Sequence, residues 1–179
     1  MFLSRNIINQ TYIVVNSFVG AILWYTHINM PTNSFCFYVI GTPAPQGSKK
    51  AYVSGGRAIL VEQSAAVKPW RIDVANAAID AAKVHGWTVC DDPIRVDIIF
   101  YLRRPRGHYT KGGELRRSAP TYPDKKPDVD KLLRATLDGL GQANCIFTDD
   151  ARVIGGMVWK RYSGTGNPTG AEITIWRPR

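Results

Sequence analysis

The sequence predicts a single compact α+β domain, and three observations carry that prediction. Residues 94–103 alternate as a half-buried strand does, with Val96, Ile98, Phe100 and Leu102 on one face. Residues 64–85 repeat apolar side chains at helical spacing, with Val67, Trp70, Val74, Ala77, Ala81 and Val84 along one stripe. The other segments supply a short apolar strand, a hairpin, a second helix and two closing strands. A chain of 179 residues is long enough to bury the core of one such domain. Its 45 % hydrophobic and 21 % charged residues are ordinary for a soluble globular protein.

Taken in order, residues 35–40 are an apolar run ended by Gly41-Thr42-Pro43, a strand followed by a turn. A basic loop, Gly47-Ser48-Lys49-Lys50, leads into a hairpin whose turn is Ser54-Gly55-Gly56. In the long helix Pro69 belongs to the first turn, and Gly86 ends it as the residue past the cap. A second helix is expected over residues 130–140, with Leu133, Leu137 and Leu140 on one side. Residues 151–162 and 171–176 read as strands joined by a glycine-rich turn, and no repeat or internal linker interrupts the domain.

Residues 1–34 differ in character. They hold one charged residue, Arg5, and an apolar stretch over residues 12–25 broken by Asn16, Ser17 and Gly20. That stretch is shorter than the ~20 apolar residues that span a bilayer, and no small-x-small cleavage site follows it. We therefore expect residues 1–34 to be an extension outside the functional domain of residues 35–179, with Met30 as an alternative start and no stable membrane association. Cys36, Cys90 and Cys145 are odd in number and widely spaced, which argues against a zinc site or disulfide framework and for reduced thiols in the cytoplasm. His27, His85 and His108 are scattered, and none is read as a ligand.

Charge narrows the function. The 23 Lys and Arg outweigh 14 Asp and Glu, for a net charge of +9 and a pI near 9.7, a balance that favours a polyanionic partner. Between Tyr101 and Pro127 lie Arg103, Arg104, Arg106, Lys111, Arg116, Arg117, Lys125 and Lys126, opposed only by Glu114 and Asp124. Tyr109 and Tyr122 stand among them, so the loop suits a phosphate backbone with bases stacked on its rings.

Next to that loop is an acidic constellation. Asp128 and Asp130 in KPDVDKLLRATLDGL project from one side of an extended segment and meet the N-terminus of the second helix, where carboxylates are tolerated. That helix spans ~15 Å at 1.5 Å per residue, and a short turn returns the chain to Asp149-Asp150. Three carboxylates together repel unless a hard divalent cation joins them, and magnesium, which keeps water and phosphate oxygens as ligands, fits. Alone, Asp-x-Asp is more often a helix cap and Asp-Asp a turn. Adjacent strand residues point opposite ways, so one of Asp149 and Asp150 reaches the site. Asp138 has Arg134 four residues before it as an ion-pair partner.

Asp-x-Asp, a short Leu-rich helix, Asp-Asp-Ala and a strand ending Trp159-Lys160-Arg161-Tyr162, with the earlier Gly41-Thr42-Pro43-Ala44-Pro45 turn, resemble the RusA family of Holliday junction resolvases and related phage endodeoxyribonucleases. The resemblance covers roughly residues 35–176. It implies a mixed β-sheet packed by two helices, and a homodimer that resolves four-way DNA junctions by paired nicking with magnesium. It implies Asp128, Asp130 and Asp150 as catalytic metal ligands. The family commonly has a catalytic Lys one turn after the second acid; here Arg134 keeps the charge but does not readily lose a proton, which implies electrostatic stabilisation. Lys131 stands where the family often has Asn, and joins the loop cations as a candidate DNA contact. The loop is longer than in the shortest family members. A less selective nuclease on branched or flapped DNA, a non-cutting junction binder and a membrane-associated interaction protein are the competing classes.

Overall fold

The computed structural model describes residues 13–14, 33–47, 49–62, 64–164 and 166–178. Expectations for the rest of residues 1–34 lie outside the described residues. The strands are β1 (Ile13–Val14), β2 (Ser34–Ile40), β3 (Lys49–Ser54), β4 (Arg57–Glu62), β5 (Ile94–Leu102), β6 (Val153–Gly155), β7 (Val158–Tyr162) and β8 (Gly170–Trp176). The helices are α1 (Val67–His85) and α2 (Val129–Gln142), with 3-10 turns at Arg106–His108 and Asp150–Arg152.

The main sheet is mixed, as expected, and runs β1-β2-β8-β5 with both β6 and β7 on the far side of β5. β8 pairs antiparallel with β2 and β5, whereas β5 pairs parallel with β6 and β7. The two residues of β1 pair parallel with Phe37 and Tyr38. β3 and β4 form the separate hairpin, turning at Gly55 and Gly56 with φ of 59° and 76°, values that favour glycine over any side chain.

Alternation in the strands puts Phe35, Phe37, Val39, Val96, Ile98, Phe100, Ile173 and Ile175 into one buried cluster with Trp70, Val74, Ala78 and Ala81 of α1 and Leu132 and Leu140 of α2. The end of α1 is as the sequence indicates. Gly86 takes a left-handed φ of 60°, its amide donates to Lys83 and the Trp87 amide donates to Ala82, a Schellman closure. Val84 is 62 % exposed, not core as its place on the stripe predicted, because the buried face ends at Ala82 and the last turn outruns the core.

The helices touch closely. A Cβ on Gly139 would sit 2.9 Å from Val74 Cβ, so this glycine sets their approach. Buried Trp70 Nε1 donates to Thr136 Oγ1 (3.1 Å), which donates to the Leu132 carbonyl. The buried face of α2 is Leu132, Ala135, Thr136, Gly139 and Leu140. Leu133 and Leu137 are only partly buried, so the side shared with Leu140 is the border of that face rather than its centre.

The strand expected over residues 151–162 is instead a 3-10 turn followed by two strands. The register slips between Ile94 and Arg95, which leaves Ile154 65 % exposed. A Cβ on Gly156 would lie 1.8 Å from the Val96 carbonyl oxygen, so the chain crosses β5 there without a side chain. Asp97 fixes the break: its Oδ1 accepts from the Met157 amide at 2.7 Å.

Candidate active site

Asp128 occupies the N-cap position of α2 with extended φ/ψ of −70° and 139°, but its carboxylate does not cap the helix. It accepts from Lys131 Nζ at 2.9 Å instead. That hydrogen bond, then the charge of Lys131, then Lys126 and Lys160, hold the Asp128 carboxyl below the usual Asp range. Asp130 lies exposed in the first turn. Arg134, one turn on, is exposed and its side chain makes no hydrogen bond or ion pair with a described residue. The expected Arg134–Asp138 pair does not form. Asp138 is held across the helix interface by Arg71 of α1, which leaves the guanidinium of Arg134 without an acidic partner among the described residues.

The returning chain is pinned before its acids. Cys90 N donates to Ile146 O and Thr148 N to Cys90 O, while Thr148 Oγ1 and Arg152 Nη2 both reach Asp91 Oδ1, at 2.7 and 2.8 Å. These two partners hold the Asp91 carboxyl below its usual range. Asp149 Oδ1 then accepts from the Ala151 amide at 2.8 Å, capping the 3-10 turn. Asp150 begins that turn, which packs on α2, and lines a 310 Å³ cleft with Leu133, Leu137, Val153, Ile154 and Val158.

The three acids therefore border one helix, but among the described residues no three acidic, His or Cys side chains form a group that could hold a metal ion. The donor chemistry, three carboxylates with hard oxygens, fits magnesium. Beside Asp128 the positive charge is that of Lys131.

The basic loop is folded on itself. Tyr109 bridges to Leu115, Thr110 N donates to Glu114 O, and Arg116 Nε donates to Tyr109 O at 2.9 Å. Arg103, Arg106, Lys111, Arg117, Lys125 and Lys126 are exposed, as are Tyr109 and Tyr122. Arg104 differs: its guanidinium lies 3.9 Å from the Tyr162 ring centroid and Nη1 donates to Pro120 O. His108 meets the same ring edge-on at 5.6 Å. A 340 Å³ cleft in the loop is lined by His108, Arg116, Ser118, Pro120, Asp124 and Lys125 among others.

The Endodeoxyribonuclease RusA family model matches residues 41–176, which takes in both helices, the hairpin, the basic loop and all three acids. The chain belongs to the RusA family. Among curated proteins, no sequence matches it. Membership makes it an endodeoxyribonuclease of a family that acts on Holliday junctions, with DNA as its partner. Among the described residues no helix is long and apolar enough to cross a membrane.

Two contacts beside the acids were not foreseen from the sequence, although Lys160 itself stands in the Trp159-Lys160-Arg161-Tyr162 strand. Gln46, just past the Pro43-Ala44-Pro45 turn, donates its backbone amide to the Lys131 carbonyl at 2.9 Å and so docks that turn on the acid-bearing helix. Lys160 of β7 donates to the carbonyls of Lys125 and Pro127, beside Asp128. Neither contact has a sequence signal, because each closes over a separation that only the fold brings together.

Proposed function

We propose that this RusA-family protein is a magnesium-dependent endonuclease that resolves four-way junctions by paired nicking as a homodimer in the cytoplasm. The observation that carries this reading is that Asp128 and Asp130 flank the start of α2 while Asp150 begins a turn packed on the same helix, beside the basic loop. In it, Asp128, Asp130 and Asp150 hold the cation. Bound there, magnesium would polarise the scissile phosphate and acidify a water. Arg134, with no acidic partner among the described residues, takes a phosphate oxygen and stabilises developing charge without giving up a proton. Arg103, Arg106, Lys111, Arg116, Arg117, Lys125, Lys126 and Lys131 contact the DNA backbone. Arg104 contributes its charge while shaping the loop from the Tyr162 ring. Residues 35–179 are the working unit and residues 1–34 an extension to it.

The test uses synthetic four-way junctions, flaps and linear duplex, with and without magnesium. Asp130→Asn is expected to abolish cutting while junction affinity is kept or improved, since a negative charge near phosphates is removed. Wild-type cutting by Asp130→Asn would refute the site. Equal rates on flaps and junctions would favour a less selective nuclease.

A further inference from the structure

We propose that Lys160 is a positioning residue: it fastens the segment leading into Asp128 to the sheet, so that the first acid and the basic loop are presented as one unit. The proposal deepens the reading of the acidic site given above. Lys160 Nζ donates to the Lys125 and Pro127 carbonyls, at 3.0 Å each. Its backbone is fixed, because Lys160 stands opposite Phe100, a fully buried residue of β5.

Side chains two apart share a face of a strand, and the neighbour on that face is Tyr162. Tyr162 takes Arg104 over its ring and His108 at its edge. One face of β7 thus holds both ends of the loop: Arg104 and His108 where it leaves β5, Lys125 and Pro127 where it enters α2. An ammonium has three donors and no acceptor, so two carbonyls on one Nζ make a staple rather than a surface charge. Asp128 is the residue after Pro127. Release of the staple would let its carboxylate drift, and a misplacement near 1 Å is enough to slow chemistry by about 100-fold.

A metal-free measurement reads the staple directly. Trypsin cutting at Lys125–Lys126 must take the Lys125 carbonyl into its own oxyanion hole, and that carbonyl is the one Lys160 holds. In Lys160→Met, without magnesium, this bond is expected to be cut several-fold faster relative to the exposed Lys111–Gly112 bond. In the same variant, single-turnover junction cleavage should fall roughly 10- to 100-fold while junction affinity without magnesium stays at the wild-type value. Lys160→Arg, which can reach both carbonyls, should restore both readouts. Lys160→Gln stops short of the carbonyls and gives the same reading if the Met variant does not melt cooperatively. An unchanged ratio of tryptic cuts would overturn the proposal. A loss of affinity as large as the loss of cleavage would overturn it too, by making Lys160 a DNA contact. If the wild-type protein cuts no junction, the proposed function fails, and the tryptic ratio still decides the staple.

Discussion

Asp149 Oδ1 holds the Ala151 amide, which gives that side chain a backbone partner and leaves the neighbouring Asp150 at the cleft beside Leu133 and Leu137. We expect Asp150→Asn to remove essentially all junction cleavage, and Asp149→Asn to lose about 10- to 100-fold and recover in part as magnesium is raised. Single-turnover cleavage across a magnesium titration checks this, and the reverse order would move the ligand assignment to Asp149. The sequence expectation that one member of the pair reaches the site rested on strand geometry, whereas the pair stands at a 3-10 turn with Asp149 as its cap, so the mutants decide the division. The partner of Asp138 was not legible in sequence: Arg71 is 67 residues away, and the local i,i+4 rule names Arg134 instead. Asp128 offers a pH test. Its carboxyl is held low by Lys131, so the pair is present above the ordinary Asp pKa and is lost as pH falls through the depressed value. In Lys131→Met the midpoint of Asp128, followed by carboxyl NMR on metal-free protein, should rise toward the ordinary Asp value. An unmoved midpoint would mean that Lys131 is not its partner in solution.

The elements were legible wherever a period ran long enough. α1, β5, the Gly55-Gly56 hairpin and α2 all stand where alternation, helical spacing and turn residues put them. The break between β6 and β7 was hidden, because the glycine requirement at Gly156 comes from the Val96 carbonyl across the sheet. The helix contact was hidden likewise, since Gly139 inside an apolar stripe does not announce a neighbour. Gly139→Ala should destabilise by roughly 1–3 kcal/mol through overpacking against Val74, read as a fall of several degrees in Tm with the fold retained. Wild-type Tm would show that the helices part without cost. The basic loop gives the other test at this scale. Replacing Arg116, Arg117, Lys125 and Lys126 with Ala removes the Arg116–Tyr109 hydrogen bond but leaves the Lys125 carbonyl available to Lys160, so the end of the loop beside α2 should keep its place while the hold on phosphates weakens. The slope of log K against log salt on duplex DNA should flatten by about 0.9 for each phosphate the loop ceases to neutralise. An unchanged slope would make the loop a solvated surface.

For the molecule as a whole, the proposed pairing of nicks follows from symmetry. A four-way junction has two strands of like polarity related by a two-fold axis, and two copies of this chain related by the same axis would bring one acidic cluster to each. In the proposed site a single chain carries one set of acids beside α2, so one chain would cut one strand per encounter. Sedimentation of the free protein should therefore report twice the mass of the 19.9 kDa chain. A supercoiled plasmid carrying a cruciform sharpens the test. Two cuts within one bound complex convert it to a linear molecule, whereas independent cuts release nicked circles first. Wild-type protein should yield linear product from the earliest times. Mixing in an excess of Asp130→Asn, which is expected to keep binding without cutting, should turn most complexes into mixed pairs and shift the early product to nicked circles. If the mixture only slows linear product without nicked circles, subunits do not exchange or each cut requires both sites. If wild-type protein alone gives nicked circles first, the cuts are independent and the paired mechanism is wrong.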